Sequence, residues 1–287
     1  MLKPSTYSIA GRDPQTGELG IAIQSKFLAA GAIVPHIQAG VGAVATQALA
    51  NPAYGPRGLE LLAQGYCPRE TIEKLTGEDP DYAHRQVGII DHQGRSAAFT
   101  GEECLDWAGA ITGENFAVQG NILVGEATIS AMARAFQEES GSLADRLLQA
   151  LQAGQKAGGE KRGQQAAALV VYREKGGYGG LTDKYIDLRV DDDPRPIERL
   201  SSMLDLFYLY FSPREVDMIP LQGKNLREIK ELLKDLNLYP GPIDEEFSPE
   251  FQEALQTFYY RENFEERIPS AREIPEDILN YLRKKRS

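Results

Sequence analysis

The chain has 287 residues, enough for one large domain and a small one, and its 42% hydrophobic and 25% charged residues are typical of globular proteins. This composition excludes the disordered, collagen-like and disulfide-rich classes. The formal net charge of −11 argues against nucleic acid and against an anionic membrane surface as partners, because both are bound by basic protein surfaces.

Short apolar runs bounded by turn residues predict strands, and apolar residues spaced three and four apart predict helices. In chain order, the predicted strands are 7–10, 19–24, 41–46, 86–90, 96–99, 116–118, 166–172 and 186–190. The predicted helices are two short stretches within 59–75, broken at Cys67-Pro68, and then 126–139, 143–153 and 194–211. Pairs of helices thus alternate with groups of strands.

This order predicts an α+β fold in which helices cover the outer faces of two stacked sheets, a four-layer α-β-β-α sandwich. After residue 212 the sequence becomes charged and aromatic, and helices are predicted at 225–236, 249–260 and 274–283. We therefore predict one domain at 1–212, a linker at 213–222 and a three-helix domain at 223–287.

Targeting and cofactor motifs are not found. Residues 1–10 have no apolar core of a signal peptide, and no apolar run reaches about 18 residues, so we expect a cytoplasmic protein. Cys67, Cys104 and the three histidines lack the spacing of metal ligands, and no phosphate-binding loop or dinucleotide fingerprint occurs. We expect no metal and no cofactor, and we expect a homo-oligomer.

Thr6 opens the first predicted strand. A threonine at a mature N-terminus can act as a nucleophile whose own α-amine accepts the hydroxyl proton. The ordinary role of a threonine here is to open a strand, and Thr6 alone does not distinguish the two. In the hairpin of the first two strands we expect Arg12, Asp13, Ser25 and Lys26 near one end of the sheet, where Lys26 would lower the pKa of a nucleophile.

The first 200 residues resemble a known family. The segments Thr6–Asp13, Gly17–Lys26, Ala39–Gln47, Asn51–Pro56, Arg85–Gly88, Ala98–Gly101, Gln119–Leu123, Lys161–Ala166 and Arg189–Asp192 carry the resemblance. They are similar to domain-of-unknown-function family 1028, which is grouped with the N-terminal nucleophile (Ntn) hydrolases. The resemblance implies an α-β-β-α sandwich, a nucleophile at Thr6, an acid near Asp13 and a basic group near Lys26.

Thr6 is preceded by Met1-Leu2-Lys3-Pro4-Ser5, and in the uncut chain its nitrogen is an amide rather than a base. The resemblance therefore implies an amidohydrolase of a small amide or peptide-like substrate only if the Ser5–Thr6 bond is cleaved. Ser25 or Cys104 stays open as another nucleophile.

Polar side chains beside glycine-rich turns are candidates for binding a substrate amide or an oxyanion, or for satisfying buried backbone. They are Gln47, Asn51, Gln119, Asn121, Arg162 and Gln164, with Arg12 and Ser25 at the hairpin ends. Arg162 could also pair with a substrate carboxylate.

The segment Asn225–Asp244 resembles the start of a peptidoglycan-binding domain, although the usual Asp-Gly is here Asp244-Glu245. This resemblance implies a peptidoglycan fragment as a partner. It also supports the alternative function, a non-catalytic scaffold whose C-terminal domain binds wall fragments or a protein.

Overall fold

A computed structural model describes residues 6–211 and 216–285, which form a mixed α/β protein with eight α-helices and twelve strands among the described residues. The chain divides into two compact units, with the division between Ser202 and Met203. The predicted boundary at 212 and residues 213–215 of the predicted linker lie outside the described residues.

A six-stranded antiparallel sheet forms the centre of the first unit, in the order β10-β9-β2-β1-β8-β7. Its strands are β1 (Thr6–Arg12), β2 (Leu19–Ser25), β7 (Gly109–Gly113), β8 (Phe116–Asn121), β9 (Ala166–Tyr172) and β10 (Lys184–Val190). The strands β1 and β2 are joined by a turn in which the Asp13 carboxylate accepts the Gln15 and Thr16 amides and Gly17 takes a positive φ of 75°.

A second, four-stranded antiparallel sheet has the order β3-β4-β5-β6. Its strands are β3 (Pro35–Gln38), β4 (Gly42–Ala48), β5 (Arg85–Asp91) and β6 (Ser96–Thr100). Strands β4 and β5 of this sheet contact β1 and β8 of the first sheet. Side chains from both sheets therefore meet in a shared interior.

Helices contact each sheet. The helices α1 (Tyr54–Ala63) and α2 (Pro68–Gly77) contact the four-stranded sheet, while α3 (Ala127–Glu138) and α4 (Leu143–Lys156) contact the six-stranded sheet. The break between α1 and α2 agrees with the break predicted at Cys67-Pro68. Pro68 begins α2, because proline is well tolerated in the first turn of a helix. Ser142 begins α4 by accepting the Asp145 amide, as a good N-cap does.

The helix α5 (Pro196–Phe211) follows, and the second unit contains β11 (Met218–Pro220), α6 (Gly223–Asp235), α7 (Pro249–Arg261), β12 (Glu273–Pro275) and α8 (Glu276–Lys285). The three helices predicted after residue 222 are confirmed. The buried residues of this unit are mostly apolar, but they include two cations: Lys230 donates to Asp244 and to the Glu246 carbonyl, and Arg267 donates to Asp277.

Four strands were not predicted. The strand β3 is only four residues long and begins with a proline, and β11 and β12 are three-residue strands that also contain prolines. The strand β7 has small side chains that are half-buried or exposed, so its apolar pattern is weak. These strands exist because neighbouring strands pair with them, which a local pattern does not report.

Candidate functional site

A cavity of about 500 Å³ opens beside the first residue of β1. Its residues come from four places in the chain: the β1 start, the β2–β3 connection, the end of β4 with the connection to α1, and the start of β5. They are Thr6; Phe27, Ala30, Ile33 and Val34; Gln47, Ala48, Leu49, Ala50 and Pro52; and Asp81, His84 and Arg85.

Thr6 is the strand residue that brings a hydroxyl to this cavity. The register pairs it with Ser25 of β2 on one side and with Asn121 of β8 on the other. Its side chain is almost fully buried, and its Oγ1 lies 3.1 Å from Ser25 Oγ, within hydrogen-bond distance. The structure therefore brings the Thr6 and Ser25 hydroxyls together.

Two side-chain amides hold the Thr6 carbonyl. Gln47 Nε2 donates to it at 3.2 Å and Asn121 Nδ2 donates at 3.4 Å. The same two amides also donate to Gln86 Oε1, at 2.8 Å and 3.0 Å. Gln47 and Asn121, predicted as substrate-binding residues, thus contact the Thr6 main chain in this structure, and they fix the orientation of Thr6.

Gln86 completes this arrangement. Besides accepting the two amides, its Nε2 donates to Thr100 Oγ1 at 2.9 Å and to the carbonyls of Gly109 and Gly120 at 3.2 Å and 2.9 Å. Gln86 is fully buried, so each of these bonds replaces a contact with water. It connects both sheets through one amide group.

A second branch of the network begins at Ser8, which lies two residues after Thr6 on the same face of β1. Its Oγ donates to Gln47 Oε1 and accepts from Gln119 Nε2, both at 2.6 Å. Gln119 Oε1 is buried without a hydrogen-bond partner among the described residues. Gly88 leaves room for this oxygen, since a Cβ there would lie 2.0 Å from it.

Lys26, Arg162 and Gln164 meet around the buried carboxylate of Glu160. Glu160 accepts the Lys26 backbone amide at 2.6 Å and Arg162 Nε at 2.8 Å, while Lys26 Nζ donates to the Gln164 carbonyl at 3.1 Å. Burial, and then the nearby Glu160 charge, raise the pKa of Tyr7 far above its usual value. The cluster fixes the chain directly after Ser25, and it contributes no residue to the cavity wall.

Arg12 and Asp13 lie at the other end of the hairpin, and the prediction that they share an end with Ser25 and Lys26 is wrong. The register pairs Arg12 with Leu19 and Thr6 with Ser25. Six residues of strand, at about 3.3 Å each, separate Thr6 from Arg12 by about 20 Å. Arg12 donates to Asn115 there, and Asp13 is occupied by its turn.

Asn51 supports one wall of the cavity without lining it. Its Nδ2 donates to Asp79 at 3.0 Å, and Asp79 in turn accepts Arg85 Nε at 2.9 Å. The Arg85 hydrogen bond, helped by Asn51, holds the pKa of Asp79 far below its usual range despite burial. Asp79 and Arg85 are therefore a buried ion pair at the edge of the cavity.

The surroundings of Cys104 argue against Cys104 as the nucleophile, an alternative that the sequence left open. Its thiol donates to the Arg85 carbonyl at 3.4 Å, and burial raises its pKa, so less thiolate is present at neutral pH. Within the described residues, no group of three or more His, Cys, Asp or Glu side chains is arranged to hold a metal ion. No helix in 6–211 or 216–285 is long and apolar enough to cross a membrane.

Sequence reasoning missed Gln86 and Glu160. Gln86 carried a usable signal, because it directly precedes the apolar run of a predicted strand, where a buried amide must find hydrogen-bond partners. Glu160 stands between glycines and the basic pair Lys161-Arg162, a pattern that fits either a surface turn or a buried charge. Only the fold distinguishes these two.

Comparison with known proteins follows the two units. A family of unknown function, DUF1028, matches residues 6–200, and a second family, described as "Putative peptidoglycan binding domain", matches residues 210–282. No curated protein matches the chain.

Two solved structures are similar to parts of this chain. The crystal structure of protein SPO2555 from Silicibacter pomeroyi, of family DUF1028, is 30% identical, covers 72% of this chain and 91% of its own, and has a TM-score of 0.66. Anbu (ancestral beta-subunit) from Yersinia bercovieri is 11% identical, covers 74% of this chain and 99% of its own, and has a TM-score of 0.32, too low for any inference. The family model spans more than half of the chain, and a protein of that family is 30% identical over 72% of it, so the chain belongs to the DUF1028 family.

Proposed function

We propose that the first unit is an Ntn-type amidohydrolase in which Thr6, freed by cleavage of the Ser5–Thr6 bond, attacks a small amide or peptide-like substrate. The observation that carries the proposal is the position of Thr6, which lines a cavity and whose Oγ1 lies 3.1 Å from Ser25 Oγ. Residues 1–5 lie outside the described residues.

The proposed reaction needs only groups at this end of β1. The free α-amine of Thr6 takes the hydroxyl proton as Oγ1 bonds to the substrate carbonyl carbon, and the amide nitrogen leaves with that proton. Water then hydrolyses the resulting ester and restores Thr6. Ser25 orients the Thr6 hydroxyl. Lys26, the residue after Ser25, adds positive charge nearby, while its ammonium group remains hydrogen-bonded to the Gln164 carbonyl.

Positioning supports the proposal. The Gln47 and Asn121 amides fix the Thr6 main chain from two different strands, and Gln86 holds both amides. Polar groups of this kind are costly to bury, and they are kept where a reacting group must have one orientation. A threonine that merely opened a strand would not require them.

We also propose that the first unit has the four-layer α-β-β-α order of Ntn hydrolases. Helices α3 and α4 contact one sheet, α1 and α2 contact the other, and the sheets contact each other through β1, β4, β5 and β8. These contacts support that order of layers.

The first test is the intact mass of the purified protein, followed by reaction with a β-lactone that acylates nucleophilic hydroxyls. We expect loss of residues 1–5 and one acyl group on Thr6. Thr6→Ala should lose labelling by at least about a hundredfold, Thr6→Ser should keep part of it, and Thr16→Ala, in the exposed turn, should label normally. Retention of residues 1–5 in a preparation that reacts would reject the free-amine mechanism.

A second candidate function belongs to the second unit, because residues 210–282 match a peptidoglycan-binding family. We propose that this unit binds wall fragments, with or without catalysis by the first. The test is co-sedimentation of the full chain with insoluble peptidoglycan, and muramidase-released fragments should compete. Equal sedimentation with cellulose, or none with peptidoglycan, would contradict this proposal.

A further inference from the structure

The cavity beside Thr6 has apolar walls on two sides. Phe27, Ile33 and Val34 come from the β2–β3 connection, and Leu49 and Pro52 come from the β4–α1 connection. Such walls remove apolar groups of a ligand from water, which stabilises its binding. A ligand that fills the cavity therefore has an apolar body.

The remaining side of the cavity is formed by Asp81, His84 and Arg85, and Asp81 and Arg85 carry opposite charges there. The Arg85 guanidinium is already bound by protein acceptors. Its Nε donates to Asp79 at 2.9 Å, its Nη1 to the Leu49 carbonyl at 2.6 Å, and its Nη2 contacts both Asp79 and Asp81 at 3.4 Å. Asp79 is 7% exposed and stays ionised, so it neutralises Arg85.

Asp81 is a second carboxylate beside this single guanidinium. Its side chain is 68% exposed, and its contact with Arg85 Nη2 is 3.4 Å long, beyond the roughly 2.7–3.2 Å usual for an N–H···O hydrogen bond. With Arg85 neutralised by Asp79, this side of the cavity carries one uncompensated negative charge. A carboxylate on the ligand would be repelled there, while an ammonium would be attracted.

We infer that the ligand of this cavity is an amine-bearing amide with an apolar body, and that Asp81 receives its ammonium group. The inference rests on the proposed function for the amide, which Thr6 would attack, but the selection of charge depends on Asp81 alone. The Gln47 amide group is already bound to the Thr6 carbonyl and to Gln86 Oε1, so Gln47 does not select between charged ligands.

The test uses three probes that share a six-carbon backbone and differ in one terminal group: 6-aminohexanamide, hexanamide and adipamate. Each is titrated by NMR at pH 8 into the full-length Thr6→Ala protein, which binds without reacting. We expect 6-aminohexanamide to bind about two- to fivefold more tightly than hexanamide, the range of an exposed ion pair, and adipamate to bind most weakly.

Asp81→Asn should abolish the preference for 6-aminohexanamide over hexanamide and leave hexanamide binding unchanged. Glu73→Gln, an exposed carboxylate on α2, is the matched control and should keep the preference. Circular dichroism melting of each variant checks that it is folded. Equal binding of the cationic and neutral probes, tighter binding of adipamate, or no binding of any probe would each overturn the inference.

The two proposals fail separately. Charge-selective binding in Thr6→Ala, together with an uncut and unreactive wild-type chain, would reject the amidohydrolase and leave the ligand class standing. A chain that is cleaved before Thr6 and reacts with the lactone, but binds the three probes without charge selection, would reject the ligand class and leave the amidohydrolase standing.

Discussion

The interior between the two sheets has an apolar half and a polar half. The apolar half joins β2 and β9 to β3 and β4 through side chains such as Leu19, Ile21, Ile23 and Val34. The polar half joins β1 and β8 to β4 and β5 through Gln47, Gln86, Gln119 and Asn121. Along β1 the change occurs between Ser8 and Ala10, on one face of one strand.

The two halves stabilise the fold in different ways. Apolar packing is non-directional and tolerates small adjustments, whereas a buried amide network requires each donor and acceptor to be in place. The polar half specifies one orientation of Thr6 at a cost in desolvation, and the apolar half supplies stability without orienting any group. Variants in each half should therefore separate stability from the reactivity of Thr6.

The largest expected effect comes from Gln86→Leu in the polar half. It leaves the Gln47 and Asn121 amides and two glycine carbonyls without their shared partner, which should cost about 3–5 kcal/mol of unfolding free energy. The measurement is urea unfolding followed by the fluorescence of Trp107, the single tryptophan, which lies in the first unit. Lactone labelling of the remaining folded protein should also fall. A loss below about 1 kcal/mol would show that the network is not tightly coupled.

Ile21→Ala in the apolar half should cost about 3 kcal/mol, because it removes buried methyl groups and leaves a cavity. The same Trp107 urea curve measures it. Labelling of Thr6 per folded molecule should stay unchanged, in contrast to Gln86→Leu. Reduced labelling at full folding would mean that the apolar half also positions Thr6.

The ion pair beside the cavity should give pH dependence that the neutral glutamine network lacks. Arg85 lowers the pKa of Asp79 in the folded chain, so its stabilisation is fully present above the unfolded aspartate pKa of about 3.9 and is lost as pH falls toward the lower folded value. Between pH 6 and pH 3 this should remove about 1 kcal/mol.

Urea unfolding at the two pH values checks this prediction. Asp79→Asn should show a smaller difference between pH 6 and pH 3 than the wild type does, and the exposed control Glu73→Gln should keep the wild-type difference. An unchanged pH difference in Asp79→Asn would assign the acid sensitivity to other carboxylates.

The smallest effect is expected for Gln119→Met, at about 1 kcal/mol or less. Gln119 is as deeply buried as Gln86, but its Oε1 has no partner among the described residues, so replacing it removes an unsatisfied oxygen along with the bond to Ser8. The Trp107 urea curve compares the two variants directly. Similar losses for Gln119→Met and Gln86→Leu would contradict the view that partnering, rather than burial, sets the cost.

Much of the fold followed from local patterns. The hairpin of β1 and β2 was predicted from two short apolar runs bounded by turn residues, and α3 and α4 from apolar residues spaced three and four apart. The resemblance to family 1028, which rests on segments between Thr6 and Asp192, is confirmed by the match of the DUF1028 family model to residues 6–200. The site was predicted less completely, since Asp13 was assigned to the wrong end of its hairpin.

The sequence by itself determined the helices, eight of the strands, the family and the candidate nucleophile, because turn chemistry, apolar periodicity and residue order are local properties of the chain. Only the tertiary structure decided which polar residues meet. Register put Ser25 and Asn121 beside Thr6 and carried Asp13 about 20 Å away, and sheet-to-sheet contact brought Gln86 to the Gln47 and Asn121 amides. Long-range pairing of this kind depends on strand register and packing, which no single segment of the sequence contains.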